Sequence, residues 1–170
     1  IYQSKFICMK SLLLIRHAKS SWDSPTLKDF DRSLNERGHK DAALMAGRLL
    51  ESMPHLDAFI SSSAVRAATT AEYFQKAYKA FGSGLILKPE LYHAQPATYH
   101  EVIQTLNDDW KSVAIFSHNP GITEIVNSFN VAKVVDMPTC AIFGVTAEVK
   151  LWKDFVAAEK HFLMFDYPKI

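Results

Sequence analysis

Four apolar residues in a row, Leu12, Leu13, Leu14 and Ile15, run straight into the basic pair Arg16 and His17. A continuous apolar stretch, ended by the charged and small residues Ala18, Lys19, Ser20 and Ser21, predicts a central parallel strand covered on both faces. Open parallel sheets place their chemistry at the carboxyl ends of their strands, which is where Arg16 and His17 fall. An imidazole there can act as a nucleophile, and the guanidinium beside it can hold an anion bidentately. Taken alone, the pair is equally compatible with a histidine that is merely hydrogen-bonded at a strand end.

The arrangement recurs twice. Phe59 and Ile60 lead through Ser61, Ser62 and Ser63 to Ala64, Val65 and Arg66, after which Ala67, Ala71, Phe74, Tyr78 and Phe81 repeat at helical spacing. Arg66 is thereby predicted in the first turn of a helix, where an arginine opposes the helix dipole unless an anion is bound nearby. It is either such a ligand or a solvated side chain. Farther on, Val113, Ala114, Ile115 and Phe116 precede Ser117, His118, Asn119, Pro120 and Gly121. Asn119 suits an N-cap, Pro120 the first helical position, and Ile122, Ile125, Val126 and Phe129 an apolar helical stripe. Three strand ends, each presenting Arg or His, are poorly explained by independent accidents.

Between these motifs strand and helix patterns alternate without internal repeats. Ala42, Met45, Ala46, Leu49 and Met53 form one helical face, and Thr98 with Glu101 predicts a capping box before Val102, Ile103 and Leu106. Strands predicted at residues 85–87, 141–145 and 162–165 complete a sheet of about six, the last two at an edge. The expected fold is a three-layer α/β/α sandwich with a mostly parallel central sheet. Residues 23–32 read as a loop, from Pro25, the charges and the lack of period. Following His17 closely, the loop is either one wall of a pocket or an ordinary surface connection.

With 170 residues, 48% of them hydrophobic, and a net charge of +1, the chain reads as one globular domain rather than a disordered or nucleic-acid-binding one. Two cysteines, Cys8 and Cys140, are too few for a disulfide framework and predict a reducing, cytoplasmic setting. The apolar start is too short and too interrupted by Lys5 and Lys10 for a membrane span. Residues 1–8 are expected to be an arm without assigned function, and residues 9–170 the domain. Seven histidines are present, none paired at ligand spacing, so no metal site is expected.

The ordered set of Arg16-His17, the segment 62–70 carrying Arg66, Ser117-His118, and the stretch Leu34, Asn35, Glu36, Arg37 and Gly38 resembles the histidine phosphatase superfamily, the phosphoglycerate-mutase-like enzymes (branch 1). Ala18, Lys19 and Ser20 after the pair, then Trp22 and Asp29-Phe30-Asp31-Arg32, look most like the small SixA-type phosphohistidine phosphatases. The resemblance spans roughly residues 11 to 130. It implies the phosphoglycerate-mutase-like fold and a phosphatase acting without metal or cofactor. His17 would take the phosphoryl group as a phosphohistidine intermediate, while Arg16, Arg66 and His118 surround its equatorial oxygens. Asp23, Ser62, Asn119 and His93 are the further expected substrate-binding residues, with a structural role open for Asp23 and Ser62.

One departure bears on the substrate. Relatives that cleave alkyl phosphate esters carry a Glu where this chain has His93. An alkoxide leaves poorly unless protonated, whereas the imidazole of a phosphoramidate needs less help. The expected partner is therefore a phosphorylated protein carrying phosphohistidine, in signalling or phosphotransfer, with inorganic phosphate as product. His93 is either an acid in its own right or a surface residue, and Glu90 is out of register. Two other readings stand beside this one. They are a phosphatase of small phosphorylated metabolites, and a phospholigand-binding module that does not turn over. Neither nucleic acid nor membrane is an expected partner.

Overall fold

The apolar run becomes the middle of β1 (Met9–Arg16), with Leu12, Leu13, Leu14 and Ile15 wholly buried. A computed structural model describes residues 8–79 and 84–169. Its sheet also contains β2 (Ala58–Ser61), β3 (Ile86–Leu87), β4 (Ser112–Ser117), β5 (Ile142–Glu148) and β6 (His161–Asp166). The strand order is β3-β2-β4-β1-β5-β6. Neighbours from β3 to β1 are parallel, and β5 and β6 extend the sheet antiparallel at the edge.

Successive side chains of a strand point to opposite faces, and β1 feeds two cores accordingly. Leu13 and Ile15 pack with Met45, Leu49 and Phe74 beneath α1 (Glu36–Ser52) and α2 (Val65–Ala77). Leu12 and Leu14 pack with Val102, Ile103, Ile122 and Ile125 beneath α3 (Pro96–Gln104) and α4 (Gly121–Ser128). The three-layer sandwich follows from burying both faces of a sheet whose central strands carry no polar side.

Several local expectations shift. β5 runs three residues past its predicted end and β6 one residue past each of its own, whereas β3 is only two residues long. The capping box at Thr98 does not form, because α3 already starts at Pro96 with Gln95 as its N-cap; proline's fixed φ suits the first helical position. Asn119 does not cap α4, which begins at Gly121 with Pro120 in the N-cap position. Its amide instead donates to Asp136 and to the Met137 carbonyl, and its oxygen accepts from Thr123. Phe81 and residues 1–7 of the expected arm lie outside the described residues.

One helix start is tied directly to the segment after His17. Asn35 caps α1 by accepting from the Gly38 amide at 2.8 Å, and the Asn35 amide donates to the Lys19 carbonyl at 3.0 Å. A Cβ on Gly38 would stand 2.0 Å from that carbonyl oxygen, whereas Gly47 in the same helix faces open space. Gly38→Ala is expected to destabilise the protein by about 3 kcal/mol through the clash with backbone. Gly47→Ala is expected to raise stability by roughly 0.5 kcal/mol. Urea unfolding of the two variants checks the pair.

Candidate active site

Parallel pairing brings three strand ends together, β1 and β4 level and β2 one residue short. Arg16 stands opposite Ser117 in the β1/β4 register, and Ser61 opposite Phe116 in the β2/β4 register. Among the next residues, His17 and His118 therefore leave the sheet side by side, with Ser62 one step behind them, level with Ser117. Two backbone bonds continue the ladder past the strands, from the His17 amide to the Ser117 carbonyl and from the Ser62 amide to the Phe116 carbonyl, both 3.0 Å.

His17 is buried, and its ring is oriented by its own chain. Nδ1 lies 2.7 Å from the Ala18 carbonyl oxygen, which can only accept, so Nδ1 carries the proton and Nε2 the lone pair. Arg66 Nε donates to that Nε2 at 3.3 Å. Burial lowers the His17 pKa from 6.5 to about 3; the bond to Ala18 opposes the shift, and the nearby charges of Arg66, Arg16 and Arg32 reinforce it. The ring is neutral at physiological pH, and its Nε2 lone pair, held by the Arg66 N–H, is the one that could act as a nucleophile once that contact is released.

Arg66 occupies the second position of α2, as its place in the sequence predicts. Thr70, one turn later, donates to the Arg66 carbonyl and accepts from the Ala18 amide at 3.0 Å, which locks α2 to the end of β1. The guanidinium also reaches Asp29, on a short 3-10 helix (Asp29–Asp31), through the backbone oxygen at 2.6 Å and Oδ2 at 3.0 Å. Tyr92 donates to Asp29 Oδ2 at 2.7 Å, and Arg32 pairs with Oδ1 at 3.0 Å. Against the upward push of burial, the Tyr92 hydroxyl and the two guanidiniums hold Asp29 down at a pKa of about 2.

His118 and His17 stand with ring centroids 5.1 Å apart. His118 Nε2 lies 2.8 Å from Ser62 Oγ, which itself accepts from the Ala64 amide. A serine hydroxyl that donates to Nε2 leaves the ring proton on Nδ1. Tyr99 supports the residue before His118, since its hydroxyl donates to Ser117 Oγ at 2.7 Å. Burial and the neighbouring His17 and Arg66 hold the His118 pKa well below its ordinary value. Arg16 Nη1 donates to the Met137 carbonyl and pairs with Asp136 at 3.5 Å.

Four buried side-chain polar atoms lack a hydrogen-bond partner among the described residues, and three belong to this site: Arg16 Nε, Arg32 Nη1 and His118 Nδ1. Arg16, His17, Arg66, His93, His118 and Asn119 line one pocket, together with Lys19, Ser20, Trp22, Asp29, Arg32 and Thr139. Ser62 meets it only through His118. Asp23 is exposed, bonded to Ser21, and absent from the lining. His93 sits at the rim with φ 56° and its ring against Tyr92. The loop at 23–32 does form one wall, through Asp29 and Arg32. Sequence reasoning assigned no role to these two, although they stand in the Asp29-to-Arg32 segment, and it missed Tyr92 altogether. Among the described residues no group of three His, Cys, Asp or Glu side chains could hold a metal ion.

A concave site with more arginines than carboxylates, and with buried N–H groups left over, is built for a multivalent oxyanion beside a neutral histidine. The family described as the histidine phosphatase superfamily (branch 1) matches residues 12–93, and the chain belongs to it. An uncharacterized protein of Mycobacterium tuberculosis is 32% identical over 106 residues, and the match covers 62% of this chain but only 63% of that relative's length. An uncharacterized chloroplastic protein of Arabidopsis thaliana is 29% identical over 157 residues, 87% of this chain and 71% of the relative. Among solved structures, a protein of Agrobacterium tumefaciens provisionally assigned as the phosphohistidine phosphatase SixA has 25% identity and a TM-score of 0.79, with 94% of this chain and 98% of that chain covered. The protein histidine phosphatase SixA complexed with tungstate shares the fold at 22% identity, TM-score 0.77, covering 92% and 96%.

The depressed His17 pKa has a measurable sign. Below pH 6.5 an unfolded histidine gains a proton that the folded one refuses down to about pH 3, so stability is lost as pH falls through that window. In phosphate-free buffer the wild type is expected to lose on the order of 2 kcal/mol more than His17→Gln between pH 7 and pH 5. Denaturant titrations at the two pH values check it.

Proposed function

We propose that the protein is a phosphatase that works through a phosphohistidine intermediate on His17 without a metal, and that its substrate is phosphohistidine in a signalling or phosphotransfer protein. The observation that carries this reading is a pocket whose lining residues Arg16, Arg32 and His118 each keep one buried N–H group without a partner, beside a neutral histidine that holds its lone pair on Nε2. A phosphoryl group offers the oxygens those donors lack.

In this reading His17 Nε2 attacks phosphorus in line as the P–N bond breaks, and the substrate imidazole, protonated on its other nitrogen, takes the electron pair and leaves as a neutral ring. Water then attacks the phosphoryl-His17 phosphorus, and the N–P bond breaks to return the free ring and inorganic phosphate. Arg16, Arg66 and His118 hold the equatorial oxygens and neutralise their charge, which supplies most of the catalysis in phosphoryl transfer. The tie from Nδ1 to the Ala18 carbonyl fixes the attacking tautomer and stabilises the ring as it becomes cationic.

The acid side of the site supports the choice of substrate. Asp29 is held ionised by Tyr92 and two arginines, so it has no proton to give. Glu90 lies outside the pocket and pairs with Lys88 at 3.8 Å. Without a carboxylic acid an alkoxide leaves slowly, whereas an imidazole leaves more readily. The free thiols of Cys8 and Cys140 favour a reducing compartment, and we place the protein in the cytoplasm.

With EDTA present, the protein is expected to release phosphate from a phosphohistidine peptide and to leave an alkyl phosphate largely intact. His17→Ala abolishes the release, and Arg66→Ala lowers kcat by about 10²- to 10³-fold. Equal turnover of the alkyl ester would point to small phosphorylated metabolites and give His93 the acid's role. Tungstate binding without any turnover would point to a binding module.

A further inference from the structure

The Nε and Nη2 hydrogens of an arginine lie along one edge of the guanidinium and form a fork that takes two acceptors side by side. In Arg66 this edge is filled from within the protein. Nε points at the His17 lone pair, 3.3 Å away, and Nη2 at Asp29 Oδ2, 3.0 Å away. A phosphoryl group in line above His17 Nε2 needs that same edge, because it is the one beside the attacking nitrogen. The second oxygen of Asp29 is held at 3.0 Å by Arg32, whose Nη1 is one of the unpartnered buried donors. One carboxylate therefore bridges two guanidiniums and the Tyr92 hydroxyl on the wall of the pocket.

We propose that Asp29 is an internal stand-in for a phosphoryl oxygen, which holds Arg66 and Arg32 in the empty site and is exchanged for the ligand when a tetrahedral dianion binds. This rests on the pocket being a phosphoryl site. The side chain is free to make the exchange, since 39% of it is exposed and it stands on a three-residue 3-10 helix rather than on a sheet strand. Retaining the carboxylate would leave it facing a dianion across the same arginines, with both competing for the same hydrogens. Releasing it frees Arg66 Nη2 and the Arg32 edge together and lets Arg66 Nε turn from His17 to an equatorial oxygen. The same step uncovers the lone pair for attack. Asp29 thereby sets which anions occupy the site. A ligand that replaces only one of its contacts does not displace it, whereas a group with three free oxygens replaces several at once. Arg32 gains a role in the same step. It is held against the exposed indole of Trp22, with the guanidinium carbon 3.5 Å from the ring centroid, so it keeps its position when Asp29 leaves.

Isothermal titration with tungstate, a tetrahedral dianion that needs no turnover to be read, tests the exchange. Asp29→Asn removes the competing charge and is expected to tighten tungstate by about tenfold. Tyr92→Phe keeps the ring but removes a hydroxyl that holds Asp29, and it is expected to tighten tungstate by a smaller factor. A crystal structure of the wild type soaked in tungstate should show Asp29 Oδ2 withdrawn from Arg66 Nη2. Weaker or unchanged binding in both variants, or Asp29 still on Arg66 beside bound tungstate, would overturn the exchange and make Asp29 a positioning residue. If neither wild type nor variants bind tungstate, the phosphoryl-site reading falls and this inference with it.

Discussion

The site depends on one constraint, the parallel register of β1, β2 and β4. Because Arg16 is level with Ser117 and Ser61 with Phe116, the first residue beyond each strand is His17, Ser62 or His118. Side chains 101 positions apart in sequence, at 17 and 118, thus meet with rings 5.1 Å apart. A slip of one residue would send alternate side chains to the opposite face of the sheet. It would also carry Leu13 and Ile15 out of one core into the other. The packing of two different cores against β1 therefore guards the register that the site needs, and fold and chemistry share a single constraint.

The second determinant is desolvation among cations. Burying an imidazole beside three arginines makes its charged form unfavourable, so His17 stays neutral where an exposed histidine would titrate. Those arginines carry a cost of their own, because buried guanidinium hydrogens need acceptors. The protein meets part of it with backbone carbonyls, those of Met137 for Arg16 and Asp29 for Arg66. Asp29 meets another part with its carboxylate. What is left over lies on Arg16, Arg32 and His118, three residues that line the pocket.

Much of this was legible in the sequence because it rests on local patterns. Apolar runs followed by serine, arginine or histidine marked β1, β2 and β4, and the 3.6-residue stripes marked α1, α2 and α4. Asn35 caps its helix with the Gly38 amide as its residue type suggests. The readings that failed had a tertiary competitor. Thr98 lost its cap to Pro96, which starts α3 two residues earlier. The Asn119 side chain found partners in Asp136 and Met137, out of reach of any local rule. The choice between two acidic residues of the loop was the most instructive. Asp23 is near His17 in sequence but folds back on Ser21, while Asp29, six residues later, reaches Arg66. A loop without period gives no signal of which carboxylate turns inward. The Arg16–Met137 contact, made to a backbone carbonyl 121 residues away, has no sequence signature at all.

The central claim is that His17 Nε2 carries the phosphoryl group. Acid-free rapid quenching of the protein with a phosphohistidine peptide, followed by protease digestion and mass spectrometry under alkaline conditions, tests it most directly. The account predicts one phosphoryl group on the peptide that contains His17, formed and lost on the time scale of turnover and absent in His17→Ala. Turnover without any phosphorylated His17, or with the phosphoryl group on His118 instead, would contradict it.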